Sequence, residues 1–183
     1  MPTSKIPSLK PGVFTVSDSI LIDAPIEKVW EVLMDFGRYH EWNAFVRGQT
    51  LITPTGTPLP SQTPTAGLRM RVSPVHLPPT MGEPGWGQSH STVVRITTVD
   101  EEGYRAAWVT EGSDVFRWML DCERWQVLTT ENEEGRTRTK YESVEVFRGP
   151  VAYVVWMFTG GNLRKGVRAM AEGLKRHAEG LVA

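Results

Sequence analysis

The sequence predicts an α+β fold in which one long C-terminal helix lies across a curved antiparallel sheet. Three patterns predict this fold: a strand that leads into an amphipathic helix near the N-terminus, a series of strand-like segments joined by short turns, and a final segment with helical periodicity. A chain of 183 residues suits one domain, and a domain of this size buries roughly 70% of its unfolded surface. We therefore expect a single hydrophobic core.

Proline marks the ends of the expected domain and its loops. Residues 1–12 are expected to be an N-terminal tail, and residues 13–183 form the domain. Two segments rich in proline, residues 53–65 and 77–87, are expected to be loops because they can neither pair in a sheet nor sustain a helix. Trp86 lies between glycines in the second loop, which favours a lid over the cavity mouth, and a flexible insertion is the alternative.

The first half of the domain is predicted as a strand followed by helices. Residues 13–22 form the first strand, and Pro25 then stands where the first turn of a helix tolerates a residue without an N–H group. Apolar residues recur at helical spacing over residues 26–36, and residues 37–43 form a short helix or turn. The further strands are expected near residues 45–52, 68–76, 88–99, 103–111, 118–129 and 136–148.

The C-terminal region is predicted as an amphipathic helix. Apolar residues repeat every three or four positions from Leu163 to Leu181, and Gly160-Gly161 are expected to break or bend the helix after the apolar segment 151–158. Three glycines also recur every seven residues, at positions 166, 173 and 180. A close approach by the sheet, by a second subunit in a homodimer or by a ligand would explain them, and so would sequence drift on a half-exposed flank.

Composition argues against several classes of function. The formal net charge of −1 gives no general attraction to nucleic acid, and no segment approaches the roughly 20 apolar residues of a membrane span. Residues 1–11 lack the apolar segment of a signal peptide, so a cytoplasmic location is expected. Cys122 is the single cysteine, and the four histidines have no metal-ligand spacing, so neither an internal disulfide nor a metal site is expected.

Two segments of the chain resemble the START/Bet v1-like (SRPBCC) superfamily, in its polyketide cyclase/dehydrase-like branch. Asp35, Tyr39 and the pair Trp42-Asn43 follow the first helix as in that group, although Ala44 replaces the proline that often comes next. The segment Glu145-Val-Phe-Arg-Gly149 is similar to the motif that leads from the last strand into the terminal helix. The resemblance implies the helix-grip fold, with a cavity between helix and sheet, and implies chemistry without a cofactor.

Large side chains whose strand or helix phase points inward are the candidates for lining such a cavity. They share an apolar surface that a hydrophobic ligand could contact. The predicted substrate-binding residues are Trp42, Trp86, Trp108, Trp118, Tyr141, Met157 and Met170. The phase of the segment 118–129 stays open because two alternating faces compete there, and a bulge could shift one into the other.

His90 and Glu145 are the candidate catalytic residues. Alternation places His90 beside Val94 and Ile96 on one strand, and Glu145 beside Phe147 on another. A carboxylate in an apolar cavity becomes a plausible general acid or base. The alternatives are a solvent-facing histidine and a structural ion pair of Glu145 with Arg95, Arg117 or Arg124.

The predicted function is the binding of a hydrophobic small molecule of polyketide, terpenoid or lipid type. The resemblance implies its cofactor-independent cyclisation or dehydration, and a non-catalytic carrier or sensor is the main alternative. A co-chaperone of the Hsp90-activator type shares the fold but would need an exposed patch on the outer sheet.

Overall fold

The computed structural model describes residues 6–7, 9–133 and 135–180. Parts of the predicted tail, Glu134 in the predicted turn and Leu181 of the predicted helical stripe lie outside the described residues. The elements in chain order are β1 (Phe14–Ile22), α1 (Ile26–Met34), a 3-10 turn (Phe36–Arg38), α2 (Tyr39–Trp42), β2 (Gln49–Ile52), β3 (Arg69–His76), β4 (Ser89–Asp100), β5 (Arg105–Thr110), α3 (Asp114–Met119), β6 (Asp121–Glu133), β7 (Arg136–Arg148) and α4 (Val151–Ala178).

The seven strands form one antiparallel sheet in the order β1-β7-β6-β5-β4-β3-β2. Register shifts between Val72 and Val75 in β3 and between Ile96 and Thr98 in β4 interrupt the ladder, and such irregularities bend strands. Helix α4 packs against β1, β7, α1 and α2. This is the helix-grip α+β arrangement that the sequence predicts, with the core between α4 and the concave face of the sheet.

The corner after α2 is held by one side chain. The Asn43 Oδ1 atom accepts hydrogen bonds from the backbone N–H groups of Phe45 and Val46, each at 3.0 Å. Asn43 is fully buried, so these bonds are shielded from water. These bonds turn the chain from α2 towards β2 and place Phe45 against α4, where its ring contacts Gly166.

The predicted strand over residues 118–129 is wrong at its beginning. Residues 114–119 form the helix α3, and Ser113 caps its N-terminus, because the Ser113 Oγ atom accepts a hydrogen bond from the Phe116 N–H at 3.3 Å. Gly149, at φ +90°, lets the end of α3 approach the β7–α4 connection, since a Cβ there would overlap the Met119 carbonyl oxygen. The strand β6 begins only at Asp121.

The predicted break at Gly160-Gly161 is also wrong, because α4 runs without interruption from Val151 to Ala178. Each helical glycine lowers helix stability by about 1 kcal/mol relative to alanine, which a long helix packed on a sheet can absorb. The stripe itself is as predicted: Leu163, Val167, Met170, Leu174 and Ala178 are all buried.

Candidate functional site

A cavity of about 320 Å³ lies between the concave face of the sheet and the N-terminal half of α4. Its walls come from β2 to β7, from Leu77 at the start of the second proline-rich loop, from α3 and from α4. The walls are mostly apolar, with Val72, Val94, Phe147 and Leu163 among them. A concave apolar space of this size, at the lower end of the range for small-molecule sites, is suited to a compact hydrophobic ligand.

One wall of the cavity carries an ion pair. Arg124 on β6 lies opposite Trp108 on β5 and opposite Glu145 on β7, so the three side chains share the concave face. The Arg124 Nη1 atom is 3.9 Å from Glu145 Oε2, and both side chains are largely buried, at 5% and 13% exposure. The Cys122 thiol donates a hydrogen bond to Glu145 Oε1 at 3.1 Å.

The Arg124 guanidinium is held from several sides. Its Nη2 atom donates to the Met170 sulfur at 3.3 Å, and its Cζ atom lies 5.7 Å from the centre of the Phe45 ring. Burial acts to lower the pKa of Arg124, but the Glu145 carboxylate and nearby Tyr141 outweigh it, so the net pKa is raised. Arg124 is therefore a fixed positive charge on the cavity wall.

Burial, followed by the Glu145 carboxylate, raises the pKa of the Cys122 thiol well above its ordinary value of 9.0. The folded protein therefore keeps this proton at a pH where the unfolded chain loses it. Because the unfolded state binds fewer protons there, the free energy of unfolding falls as the pH rises above about 9.

Some polar atoms of the cavity walls lack a hydrogen-bond partner among the described residues. They are Gln49 Oε1, Arg124 Nε and Glu145 Oε2. Two other polar atoms of the wall have partners: Thr110 Oγ1 accepts from the Cys122 N–H at 3.0 Å, and Thr159 Oγ1 donates to the Val155 carbonyl oxygen at 2.7 Å. Buried polar groups are normally paired, so the unpaired atoms are candidates for contact with water or a ligand.

Three of the residues predicted for the site line the cavity: His90, Trp108 and Glu145. His90 is exposed near the start of β4, whereas Val94 and Ile96 on the same face are buried, so His90 lies at the mouth of the cavity. Glu145 makes the ion pair with Arg124 that the structural alternative predicted. The cavity thus joins the two candidate catalytic groups to one predicted aromatic wall residue.

Three other predicted residues are buried in the core and do not border the cavity. Trp42 packs on Tyr39, with ring centres 4.7 Å apart, and borders a separate groove of about 220 Å³ beside His177. Tyr141 is fully buried and its hydroxyl donates to Gln126 Oε1 at 2.7 Å. Met170 reaches the site only through Arg124, so the prediction placed these three side chains one layer too close to the cavity.

The remaining three predicted residues point into solvent. Trp118 is 71% exposed because α3 replaces the predicted strand, and Met157 is 66% exposed because the unbroken helix turns it away from the sheet. Trp86 is fully exposed, so its loop does not cover the cavity in this structure. Trp118 and Met157 belong to a set of exposed apolar side chains on α3 and the first turns of α4, which also includes Val115, Phe116, Met119, Tyr153, Val154, Trp156 and Phe158.

Sequence analysis missed Arg124 and Gln49 as parts of the site. Arg124 continues the inward face formed by Leu120, just before β6, and Cys122 on β6, and as an arginine it interrupts the hydrophobic pattern of that face. The signal that could have identified it was the cross-strand position opposite Glu145, since opposite charges often pair there. Gln49 lies on a four-residue strand, which is too short for alternation to decide its direction.

The described residues contain no group of three or more His, Cys, Asp or Glu side chains that could hold a metal ion. In the same part of the chain, no helix has the length and apolar character needed to cross a membrane.

Comparison with known proteins gives the same architecture. A hypothetical protein from Helicobacter pylori has a TM-score of 0.66 at 13% identity, covering 91% of this chain and 89% of that one. A START superfamily protein from Mycobacterium smegmatis has a TM-score of 0.53 at 17% identity, covering 91% and 98%. The crystal structure of Ara h 8.0201 has a TM-score of 0.58 at 12% identity, covering 91% and 98%.

Sequence comparison adds a curated relative and a family. The chain is 29% identical to the "oxopyrrolidines biosynthesis cluster protein O" of Penicillium oxalicum, over 97% of this chain and 92% of that protein. The family described as "polyketide cyclase / dehydrase and lipid transport" matches residues 13–179. This chain, with its START/Bet v1-like fold, therefore belongs to the polyketide cyclase/dehydrase and lipid transport family.

Proposed function

We propose that the protein binds a hydrophobic small molecule of polyketide, terpenoid or lipid type in this cavity and catalyses its cofactor-independent cyclisation or dehydration. The observation that carries the proposal is an apolar cavity with an ionisable pair, Arg124 and Glu145, on its wall. The family's description and the relative's name, which refers to a biosynthesis cluster, support a role in small-molecule metabolism.

The geometry suits acid–base chemistry. Apolar walls exclude water and hold the ligand in one orientation, which lowers the entropic part of the barrier. The Glu145 carboxyl would accept or donate a proton at the buried wall, and Arg124 would stabilise its anionic form. His90 at the mouth would exchange protons with solvent. These roles require only side chains of this chain.

A non-catalytic carrier or sensor is the second candidate. One observation favours it: Glu145 already contacts Arg124 and Cys122, so its charge has a structural explanation. A carrier needs only volume, apolar walls and an opening, and all three are present. A movable lid formed by Trp86 and residues 77–87 fits either function and stays a prediction, as do a homodimer and a cytoplasmic location.

Native mass spectrometry of freshly expressed protein tests ligand binding first, because a co-purified small molecule would identify the substrate class. With a substrate in hand, Glu145→Gln and His90→Ala should each lower kcat by about 100- to 10,000-fold while ligand affinity changes little. Glu142→Gln is the matched control: Glu142 lies on the same strand but outside the cavity, where it pairs with Lys140 at 3.5 Å.

The outcomes separate the two candidates. Loss of turnover in Glu145→Gln but not in Glu142→Gln supports catalysis. Full activity in both candidate variants, or the absence of product from every bound ligand, supports the carrier. A Glu145→Gln protein that keeps activity but unfolds at markedly lower temperature identifies the Arg124–Glu145 pair as structural.

A further inference from the structure

The Arg124–Glu145 wall combines an unused hydrogen-bond donor with an unused acceptor. Arg124 Nε donates to no described residue, and Glu145 Oε2 accepts from none, although both atoms are buried. The other ends of the two side chains are engaged: Arg124 Nη2 with the Met170 sulfur, and Glu145 Oε1 with the Cys122 thiol. The two side chains are therefore held in place on the cavity wall, and each keeps hydrogen-bonding capacity that no described residue uses.

The charge of this wall is balanced. The guanidinium and the carboxylate lie 3.9 Å apart, and the Cys122 thiol, whose pKa is raised, stays neutral at physiological pH. The rest of the lining supplies hydroxyl, amide and apolar groups, with His90 only at the mouth. Glu145 would repel an anionic ligand group and Arg124 would repel a cationic one, so the pair favours neither charge.

We infer that the ligand carries, at the end bound against Arg124 and Glu145, an uncharged group with adjacent hydrogen-bond donor and acceptor atoms, such as a carboxamide, a lactam or a hydroxy ketone. Its acceptor takes the Arg124 N–H and its donor binds the Glu145 oxygen. This inference rests on the proposed function, because it assumes that the cavity holds a hydrophobic ligand. It makes the pair a specificity determinant whether or not the protein is an enzyme.

Four probes with one aromatic body test the inference. They are 2-naphthamide, 2-naphthoate, 2-naphthylmethylammonium and 2-ethylnaphthalene, each measured by displacement of the fluorescent dye N-phenyl-1-naphthylamine. The double variant Arg124→Met/Glu145→Leu removes both polar groups at similar volume, and such exchanges of a buried ion pair are often neutral for stability. We expect it to weaken 2-naphthamide about 10-fold, as the loss of one to two hydrogen bonds would, without weakening 2-ethylnaphthalene.

The double variant Lys140→Met/Glu142→Leu is the matched control. It removes an ion pair of 3.5 Å on β7 that lies outside the cavity, so it should leave all four affinities within about twofold. A second variant, Glu145→Gln, keeps the side-chain shape and removes the negative charge. It should tighten 2-naphthoate relative to 2-naphthamide, a change of selectivity that a merely structural role would not produce.

The possible results distinguish this inference from the proposed function. If 2-ethylnaphthalene does not bind the native protein, the cavity is not a hydrophobic site and the proposed function fails. If it binds, but Arg124→Met/Glu145→Leu weakens 2-naphthamide no more than Lys140→Met/Glu142→Leu does, only this inference is overturned. If 2-naphthoate or the ammonium probe binds most tightly, the inference that the bound group is uncharged is also overturned. Circular dichroism with thermal unfolding verifies that each variant is folded.

Discussion

Three glycines of α4 meet very different surroundings, which makes a matched set of alanine substitutions informative. A Cβ added at Gly173 would overlap the Trp42 carbonyl oxygen and lie 3.3 Å from its ring. A Cβ at Gly166 would lie 2.5 Å from the Phe45 ring. Gly161, in the same helix, has nothing within 4 Å and is exposed. The close approach that the sequence indicated at positions 166 and 173 thus comes from the segment around α2.

The magnitudes follow from two opposing effects. Alanine stabilises a helix interior by about 1 kcal/mol relative to glycine. Overpacking in a tight contact costs about 1–3 kcal/mol, and it lies high in that range where backbone must move. Gly161→Ala should therefore stabilise the protein by about 0.5–1 kcal/mol. Gly173→Ala should destabilise it by about 1–2 kcal/mol, because the Trp42 carbonyl cannot rotate away as a side chain can.

Gly166→Ala should affect stability less and ligand binding more. The Phe45 ring can shift, but it lines the cavity and lies beside Arg124, so its displacement reduces the space for a ligand. We expect a change in the free energy of unfolding within about 1 kcal/mol of zero, because helix propensity and strain partly cancel. Affinity for a dye in the cavity should fall.

Chemical denaturation and calorimetry of the three variants measure these effects. For a protein of this size, 1 kcal/mol corresponds to about 2–4 °C in Tm. Gly161→Ala should raise Tm by a few degrees, and Gly173→Ala should lower it by about as much or more. Equal stabilisation by the two substitutions would show that α4 is not pressed against Trp42, and the proposed origin of the glycine pattern would be wrong.

The remaining predictions concern single sites. Trp118→Ser and Met157→Ser should each change the free energy of unfolding by less than about 0.5 kcal/mol and leave dye affinity in the cavity unchanged, because both side chains are exposed; a large loss of affinity would place them over the mouth. Addition of the apolar dye ANS should change the fluorescence of the native protein differently from that of Trp86→Phe if the loop closes, and identical responses contradict the lid. Between pH 9 and 10, the raised pKa of the Cys122 thiol should lower the free energy of unfolding of the native protein by up to about 1.4 kcal/mol per pH unit. Cys122→Ala should not show this decrease, as urea denaturation at each pH can measure. An equal slope in both proteins would contradict the raised thiol pKa.

The sequence predicts best those elements in which the buried residues recur at a single helical or strand spacing. Helix α4 buries its stripe at the predicted positions, and alternation on β4 correctly places Val94 and Ile96 inside. The same alternation on β5 places Trp108 inside and against the cavity. In these segments the pattern of apolar residues and the direction of the core agree, so no tertiary information is needed.

The errors arise where apolar residues are exposed. Val115, Phe116, Trp118 and Met119 give α3 an apolar sequence, and the sequence pattern predicts the last two of them as the start of a strand. The segment around Met157 is apolar on every side, so its periodicity could not show which side chains face the sheet. Exposed apolar residues do not follow the rule that apolar side chains face the core, so only the folded structure shows which way these side chains point.

The polar part of the site was hidden for the opposite reason. Hydrophobic alternation assumes that inward positions are apolar, yet β6 directs Arg124 and Gln126 inward, where both are buried. The Gln126 Oε1 atom accepts a hydrogen bond from the Tyr141 hydroxyl at 2.7 Å, and neither residue borders the cavity. Sequence patterns cannot separate such an internally satisfied polar pair from one with open hydrogen-bonding atoms, because the difference lies in distances between strands.

The presence or absence of a hydrogen-bond partner also distinguishes structural polar groups from candidate functional ones in this core. A buried polar atom without a partner costs about 1–3 kcal/mol, whereas replacing a whole buried ion pair with apolar residues is often neutral or stabilising. Stability alone therefore does not explain why Arg124 Nε and Glu145 Oε2 are buried with their hydrogen bonds unmade. Tyr141 and Gln126, which are hydrogen-bonded to each other, do not border the cavity, whereas Arg124 and Glu145 do. Asn43 Nδ2 and Ser143 Oγ also lack partners among the described residues but do not border the cavity, so an unmade bond indicates a ligand site only where, as at Arg124 and Glu145, the side chain lines the cavity.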